Sequence, residues 1–193
     1  MHLMSNCGEL AKSVYKSSHD SALKCFFHKV LVKFGFIQAV PPWNSPMAIK
    51  PVYEKDEVKL FWDIPEYSGR DGESIRDAAR PDGKIILHKE KKIFLIEQAI
   101  PWITNRNVKY EMKATKYDEV RAFIKMENPN YQVDQITLVM DVFGGYSQNL
   151  VDNIKKIFKN TEAIKIIRDM QKSVISSEAH LSRVFKMRTK FTS

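Results

Sequence analysis

One carboxylate inside an apolar segment limits the folds open to this chain more than any other sequence feature. Glu97 lies within residues 94–100 (FLIEQAI), whose length and apolar character are typical of a buried strand. Burying an unpaired acidic side chain costs several kcal/mol. We therefore expect Glu97 to have a cation, a metal ion or a hydrogen-bond donor beside it in the folded protein.

A second carboxylate belongs to the neighbouring predicted strand. Residues 84–88 (KIILH) and 92–99 (KIFLIEQA) flank a short turn and predict an antiparallel hairpin. Asp82 lies at the entry of the first strand, so the hairpin can bring Asp82 and Glu97 together at one end. Two convergent carboxylates and a backbone carbonyl make a hard-oxygen site that suits Mg²⁺.

The segment after the hairpin predicts a basic side chain facing the same site. Residues 105–126 predict one long helix that ends before a proline. Lys113 is the one charged residue in an otherwise apolar or aromatic stripe of this helix, so it should point toward the sheet. A lysine beside a metal-bound water and a phosphate can position the nucleophile and neutralise developing charge. Lys116 lies one turn after Lys113 and Lys109 one turn before it.

The remaining segments complete an α/β pattern. Residues 18–35 predict a helix, residues 57–62 and 131–143 predict strands, and residues 147–186 predict two helices. Hydrophobic residues make up 44% and charged residues 28% of the chain, as in globular proteins. We therefore expect a mixed sheet flanked by helices, with a C-terminal helical tail.

The charge of the chain indicates an anionic partner. The net charge is +8, which favours DNA or RNA over a membrane, since no basic amphipathic helix stands alone and no apolar run approaches a membrane span. Two cysteines fit a reducing compartment, and the N-terminus lacks a signal-peptide pattern. These features predict an intracellular protein, nuclear or cytoplasmic.

The same residues have plainer interpretations. A buried glutamate paired with a lysine is more often a structural ion pair than a catalytic site. Arg80, Pro81 and Asp82 can form a simple turn, and the three lysines of the predicted helix can form a solvated face. The residue pattern alone leaves these alternatives open.

Three motifs in order carry a family resemblance: Arg80-Pro81-Asp82, residues 94–102 (FLIEQAIPW) and residues 110–117 (YEMKATKY). Together they resemble the restriction-like endonuclease domain of site-specific non-LTR retrotransposon polyproteins, within the PD-(D/E)xK nuclease superfamily. In this branch the lysine has moved from the strand to the next helix, so Ala99 stands at the superfamily's usual lysine position. The family's helix carries Lys-x-x-Lys-Tyr, here Lys113 to Tyr117.

The resemblance implies a restriction-endonuclease-like fold and a DNA-nicking endonuclease that depends on Mg²⁺ or Mn²⁺. Asp82 and Glu97 would hold the metal, and Lys113 or Lys116 would be the catalytic lysine. In the intact family the nick exposes a 3′ hydroxyl from which reverse transcription starts, so the element's RNA is a second expected partner. The alternative is a catalytically silent nucleic-acid-binding relic of the same fold.

The resemblance also adds secondary candidates. His19 and Asp20 occupy the place from which related nucleases contribute a residue near the metal or the phosphate, although a helix N-cap role for Asp20 or Ser18 is an alternative. Arg80 and Lys109 are further candidates for DNA contacts.

The N-terminus resembles a neighbouring module of the same polyproteins. His2 and Cys7 resemble half of a CCHC zinc knuckle, and two ligands alone do not hold zinc tightly. The resemblance therefore implies a knuckle remnant at 1–13, an endonuclease domain at 14–146 and a helical extension at 147–193. On this interpretation the chain is a C-terminal piece of a retrotransposon polyprotein.

Overall fold

A computed structural model describes residues 16–65 and 80–190 of the chain. In chain order its elements are α1 (Lys16–Lys33), β1 (Val52–Lys55), β2 (Val58–Trp62), β3 (Gly83–Leu87), β4 (Lys92–Ala99), a 3-10 turn (Ile103–Asn105), α2 (Arg106–Thr115), α3 (Asp118–Glu127), β5 (Gln132–Val139), α4 (Gln148–Lys155) and α5 (Asn160–Lys190).

The strands form one five-stranded sheet in the order β1-β2-β3-β4-β5. The first four strands pair antiparallel with their neighbours in sequence. Gln132 N donates to Lys91 O at 2.7 Å, and Met140 N donates to Ala99 O at 3.2 Å. Because both strands advance in the same direction between these bonds, β5 runs parallel to β4. The predicted α/β class with a mixed sheet and helices is confirmed, and the sheet is mostly antiparallel.

Strand β1 was not expected from the sequence. It pairs with β2 through a two-residue turn at Asp56 and Glu57, with Lys55 opposite Val58. Asp56 takes a positive φ of 49°, which aspartate tolerates better than most residues. Since β1 is short and mostly exposed, it lacks the apolar alternation by which strands are recognised.

The chain divides into two compact units. One comprises Met1–Met47, Ala99–Lys109 and Val139–Ser193. In its described part α5 packs against α1 and α4. The rings of Phe26 and Phe158 meet edge to face at 5.9 Å. Its buried apolar residues include Leu23, Phe27, Val30, Leu31, Ile154, Ile166, Ile167, Met170 and Val174.

The other unit comprises Ala48–Gln98 and Tyr110–Leu138. Its helical layer covers one face of β4, where Ile93 and Leu95 pack with Val120 and Ile124. Side chains two residues apart on a strand share a face. Glu97 therefore continues the row of Ile93 and Leu95 on the face that the helices cover.

The prediction of one helix over residues 105–126 is wrong in one respect. Helix α2 ends at Thr115 and α3 begins at Asp118, with Tyr117 at φ −114° and ψ 25° between them. Tyr117 is fully buried, and its hydroxyl contacts the carbonyl oxygen of Arg80 at 2.7 Å. This tertiary contact accompanies the break, and helical periodicity does not reveal it.

Two further findings concern the helices. Helix α1 already includes Lys16, so Ser18 and Asp20 lie inside the helix and the N-cap alternative is wrong. Over residues 16–65 and 80–190, no helix has both the length and the apolar character that a membrane crossing needs.

Candidate functional site

The β3–β4 hairpin places the two predicted carboxylates at its open end. Gly83 pairs with Ile96 and Lys84 with Leu95, so Asp82 directly precedes the last pair of the ladder and Glu97 directly follows it. Asp82 Oδ2 also accepts a hydrogen bond from the backbone N–H of Gln98 at 2.6 Å. This bond ties the Asp82 carboxylate to β4.

Glu97 is 1% exposed and has the partners that its burial demands. Its Oε1 accepts hydrogen bonds from Lys113 Nζ and, at 3.0 Å, from Lys116 Nζ. Its Oε2 lies 2.9 Å from the hydroxyl of Tyr117. Two cations and a phenol thus surround one carboxylate, and the expectation that Glu97 needs such partners is confirmed.

The two lysines combine a buried partner with access to solvent. The side chains of Lys113 and Lys116 are 27% and 32% exposed, although both reach the nearly inaccessible Glu97. They stand three residues apart, at the end of α2 and just after it, which places both on one face. An anion in solvent can therefore approach these ammonium groups without unfolding of the sheet.

Tyr117 links the two carboxylates electrostatically. Burial, followed by the negative charges of Glu97 and Asp82 and the hydrogen bond to Glu97, raises the pKa of the Tyr117 hydroxyl well above its ordinary value. The phenol therefore stays protonated and acts as a donor. The sequence placed Tyr117 on the predicted stripe without a role at the site. Its position four residues after Lys113 is the signal that assigns one.

Arg80 contacts protein groups rather than facing solvent alone. Its Nε donates to Asp63 Oδ1 at 2.7 Å, and its guanidinium also donates to the Asp63 carbonyl at 2.9 Å. Asp63 N in turn donates to the carbonyl of Asp82 at 3.0 Å. Asp63 follows β2 and was not a predicted site residue. It fixes the segment that carries Asp82.

The side chains that could ligate a metal determine which cation the site suits. Among the described residues no group of three or more His, Cys, Asp or Glu side chains could hold a metal. Structural zinc usually requires four protein ligands, whereas Mg²⁺ is often held by one or two carboxylates and keeps several waters. Asp82 and Glu97 therefore fit Mg²⁺ in kind, although a cation here would share Glu97 with its present donors.

Some of the secondary site candidates lie in the other compact unit, not in the unit that contains Glu97. His19 Nδ1 lies 3.1 Å from Asp20 Oδ1 in α1, a contact within the unit that contains α1. Lys109 is partly buried and precedes Lys113 by four residues in α2, but it is assigned to the same unit as α1. His2 and Cys7 lie outside the described residues.

Comparisons with known proteins add no relative: no family model, no curated protein and no solved structure matches this chain.

Proposed function

We propose that this chain is a metal-dependent endodeoxyribonuclease that nicks DNA, with Asp82, Glu97 and Lys113 at its site. The observation that carries the proposal is that Lys113 and Lys116 both contact the buried carboxylate of Glu97, while Asp82 is hydrogen-bonded to the neighbouring residue of the same strand. Asp82 and Glu97 lie at the same end of the β3–β4 hairpin, on either side of its last pair, Gly83 and Ile96. This combination provides for both a divalent cation and a phosphate.

The order of elements supports a restriction-endonuclease-like fold. Two acidic residues belong to an antiparallel hairpin, the lysines belong to the helical segment that follows, and β5 then returns parallel to β4. The three sequence motifs of the resemblance lie on these elements in the same order. We therefore propose a restriction-like endonuclease domain of retrotransposon origin, as the motifs imply.

In this mechanism Asp82 and Glu97 would hold the cation, and their neighbours keep the two carboxylates in place. The N–H of Gln98 orients the Asp82 carboxylate, and the hydroxyl of Tyr117 orients Glu97. A bound Mg²⁺ or Mn²⁺ supplies an activated water and neutralises charge at the phosphodiester. The ammonium of Lys113 or Lys116 contacts a phosphate oxygen and stabilises the charge that develops there.

The charge of the whole chain supports DNA as the substrate. Its net charge is +8, and a basic protein that neutralises backbone phosphates binds with an affinity that falls steeply as salt rises. This contribution does not depend on base sequence. The proposed activity therefore has little site preference and is strongest at low ionic strength.

One observation favours a second candidate, a catalytically silent nucleic-acid-binding protein of the same fold. Both oxygens of Glu97 have protein donors, so the carboxylate is satisfied without a metal ion. In that case the lysines serve the fold, and the basic surface alone binds DNA. The two candidates differ in whether function needs a divalent cation.

The test is nicking of supercoiled plasmid at low salt with Mg²⁺, with Mn²⁺ or with EDTA. We expect nicking only with metal, and its loss in Asp82→Ala and Lys113→Ala. Lys116→Met and Lys113→Met, assayed separately, identify which ammonium the reaction needs. Lys89→Ala, an exposed lysine of the β3–β4 turn, is the matched control and should retain activity.

Each variant is first shown to be folded by circular dichroism, so that lost activity is not lost structure. Salt-sensitive plasmid binding without nicking, equal in EDTA and Mg²⁺ and retained by Asp82→Ala, would establish the silent binder instead. Nicking that survives in both Asp82→Ala and Lys113→Ala would place the activity elsewhere.

A further inference from the structure

A polar recess of about 200 Å³ lies in the unit that contains α1, the loop after it and α5. Five serines line it: Ser21 from α1, Ser45 from the loop, and Ser173, Ser176 and Ser177 from α5. We call this feature the serine recess. Its residues are separate from those of the candidate nuclease site.

The other lining residues add further hydrogen-bond donors. These residues are Lys24, Asn44 and Trp43, whose side chains carry an ammonium, an amide and an indole N–H, respectively. Among the described residues that line the recess, none carries a carboxylate. A positive charge and many donors favour a ligand that has several acceptor oxygens and a negative charge.

Cys25 contacts all three segments that form the serine recess. Its Sγ lies 3.5 Å from the carbonyl of Ser21, 3.7 Å from that of Trp43 and 3.6 Å from that of Asp169. These carbonyls belong to the three segments that form the recess. Burial is the main cause that raises the pKa of Cys25 to about 12, so the thiol stays neutral and can donate.

Asp169, whose carbonyl Cys25 contacts, has two lysines near its carboxylate. Asp169 Oδ2 lies 3.6 Å from Lys29 Nζ, and Asp169 Oδ1 lies 4.0 Å from Lys172 Nζ. The loop is likewise held, because Ser45 N donates to Pro42 O at 2.9 Å and Ser45 Oγ accepts from Met47 N at 3.2 Å. Because the side chains and the loop of the recess are already ordered, ordering them costs little free energy when a ligand binds.

The volume of the serine recess limits how large its ligand can be. Pockets for complete small molecules usually measure about 300 to 1,000 Å³, and the serine recess, at about 200 Å³, lies below that range. We propose that the serine recess binds a single phosphate group, supplied by inorganic phosphate or by the backbone of a nucleic-acid strand. The proposal does not depend on the nuclease, since it uses neither a metal nor a residue of that site.

The experiment follows the indole N–H signal of Trp43 in two-dimensional ¹H–¹⁵N spectra, assigned by its loss in Trp43→Phe. Inorganic phosphate is titrated into the full chain without divalent metal and at constant ionic strength. We expect a saturable shift of the Trp43 signal. Lys24→Met should weaken binding about tenfold or more, because a charge-assisted hydrogen bond is lost. Ser177→Ala should weaken it less.

The matched control is Lys165→Met, an exposed lysine of α5 that does not line the serine recess. It removes the same charge and should leave phosphate affinity unchanged. Lys24→Met and Lys165→Met could weaken phosphate binding equally, in variants with wild-type melting temperatures. The loss of affinity would then come from the lower net charge of the chain, and the proposal would be overturned. A Trp43 signal that neither phosphate nor oligonucleotide moves would overturn it too.

A short single-stranded oligonucleotide distinguishes the two sources of phosphate. If it shifts the Trp43 signal and competes with inorganic phosphate, the recess takes a strand phosphate. If inorganic phosphate shifts the signal and the oligonucleotide does not, the recess takes a small anion. Since no metal is added, either result leaves the plasmid-nicking test independent.

Discussion

Glu97 and Glu178 are both buried glutamates, but the two units of the molecule satisfy them differently. They are 1% and 3% exposed, respectively. Glu97 has two ammonium groups and a phenol as partners. Glu178 Oε1 accepts one hydrogen bond from Ser18 Oγ at 3.3 Å, and its Oε2 is buried without a hydrogen-bond partner among the described residues. Equal burial therefore does not imply equal electrostatics.

The consequence is visible at Glu178. Burial raises the pKa of this carboxyl to about 7, and the Ser18 hydroxyl offsets only part of that effect. A carboxyl surrounded by apolar groups gains a proton rather than remaining charged, because desolvation penalises the anion. Glu97 lies among cations instead. The comparison separates a buried carboxylate with cationic partners from one whose pKa is raised by burial.

The largest expected effect comes from removing both cations beside Glu97. Lys113→Met combined with Lys116→Met leaves a buried carboxylate without a countercharge, and we expect a loss of about 3 to 5 kcal/mol in the free energy of unfolding. Each single substitution leaves one ammonium in place and should cost about 1 kcal/mol. Urea unfolding of wild type, the two single variants and the double variant forms a double-mutant cycle. It measures how far the loss of stability in the double variant exceeds the sum of the two single losses.

Lys89→Met is the control for general charge and should change stability little. If the two single losses add to the loss of the double variant, the lysines act independently. The interpretation of Glu97 as a carboxylate shared by two cations would then be wrong.

The second effect concerns pH and Glu178. Its folded-state pKa of about 7 exceeds the ordinary value of 4.5, so the folded protein binds more protons between these values. This contribution to stability is full below about pH 4.5 and is lost as pH rises through about 7. Its size is on the order of 3 kcal/mol. Glu178→Gln should remove this dependence and make the chain more stable than wild type at pH 8.

Thermal unfolding between pH 5 and pH 8 measures this difference. Glu119→Gln, at an exposed position of α3, removes the same charge and should keep the wild-type profile. Identical pH profiles for wild type and Glu178→Gln would contradict the account of Glu178 as a neutralised carboxyl.

A third substitution tests the neutral partner of Glu97. Tyr117→Phe removes a buried donor from between Glu97 Oε2 and the carbonyl of Arg80, and should cost about 2 kcal/mol. Plasmid nicking should also fall, because the carboxylate loses its orientation. Tyr146→Phe, at an exposed tyrosine, is the control for both measurements. Unchanged stability and unchanged nicking would leave Tyr117 without a role.

The smallest expected loss of stability comes from breaking an ion pair whose carboxylate lies at the surface. Arg80 Nε and Asp63 Oδ1 lie 2.7 Å apart, but their side chains are 53% and 38% exposed. Exposed pairs contribute about 0.2 to 1 kcal/mol, and salt screens them. Arg80→Met should therefore cost under about 1 kcal/mol, and less in high salt. A loss as large as that of the lysine pair would contradict the distinction between exposed and buried carboxylates.

Much of this site could be predicted because it follows from local periodicity. The strand of Glu97 matches its predicted bounds, and the hairpin register follows from the short turn. The orientation of Lys113 toward Glu97 follows from its place on an apolar stripe. A charged residue inside such a run allows few arrangements, so its partners could be anticipated.

The remainder depends on contacts between distant segments. The break before α3 accompanies burial of Tyr117 against the carbonyl of Arg80, and no local pattern encodes a contact 37 residues away. Strand β1 is exposed and short, so its pairing with β2 left no apolar signal. Asp63 acts through Arg80 and the backbone of Asp82, which sequence spacing does not show.

Helix α2, which carries Lys113, contains no buried residue, whereas α3 buries Val120 and Ile124. Segments with few buried apolar contacts open at a low free-energy cost, well below that of global unfolding. Backbone amides of α2 should therefore exchange with deuterium far sooner than those of α3. We therefore expect the contact between Lys113 and Glu97 to open before the hydrogen bonds of β4 do.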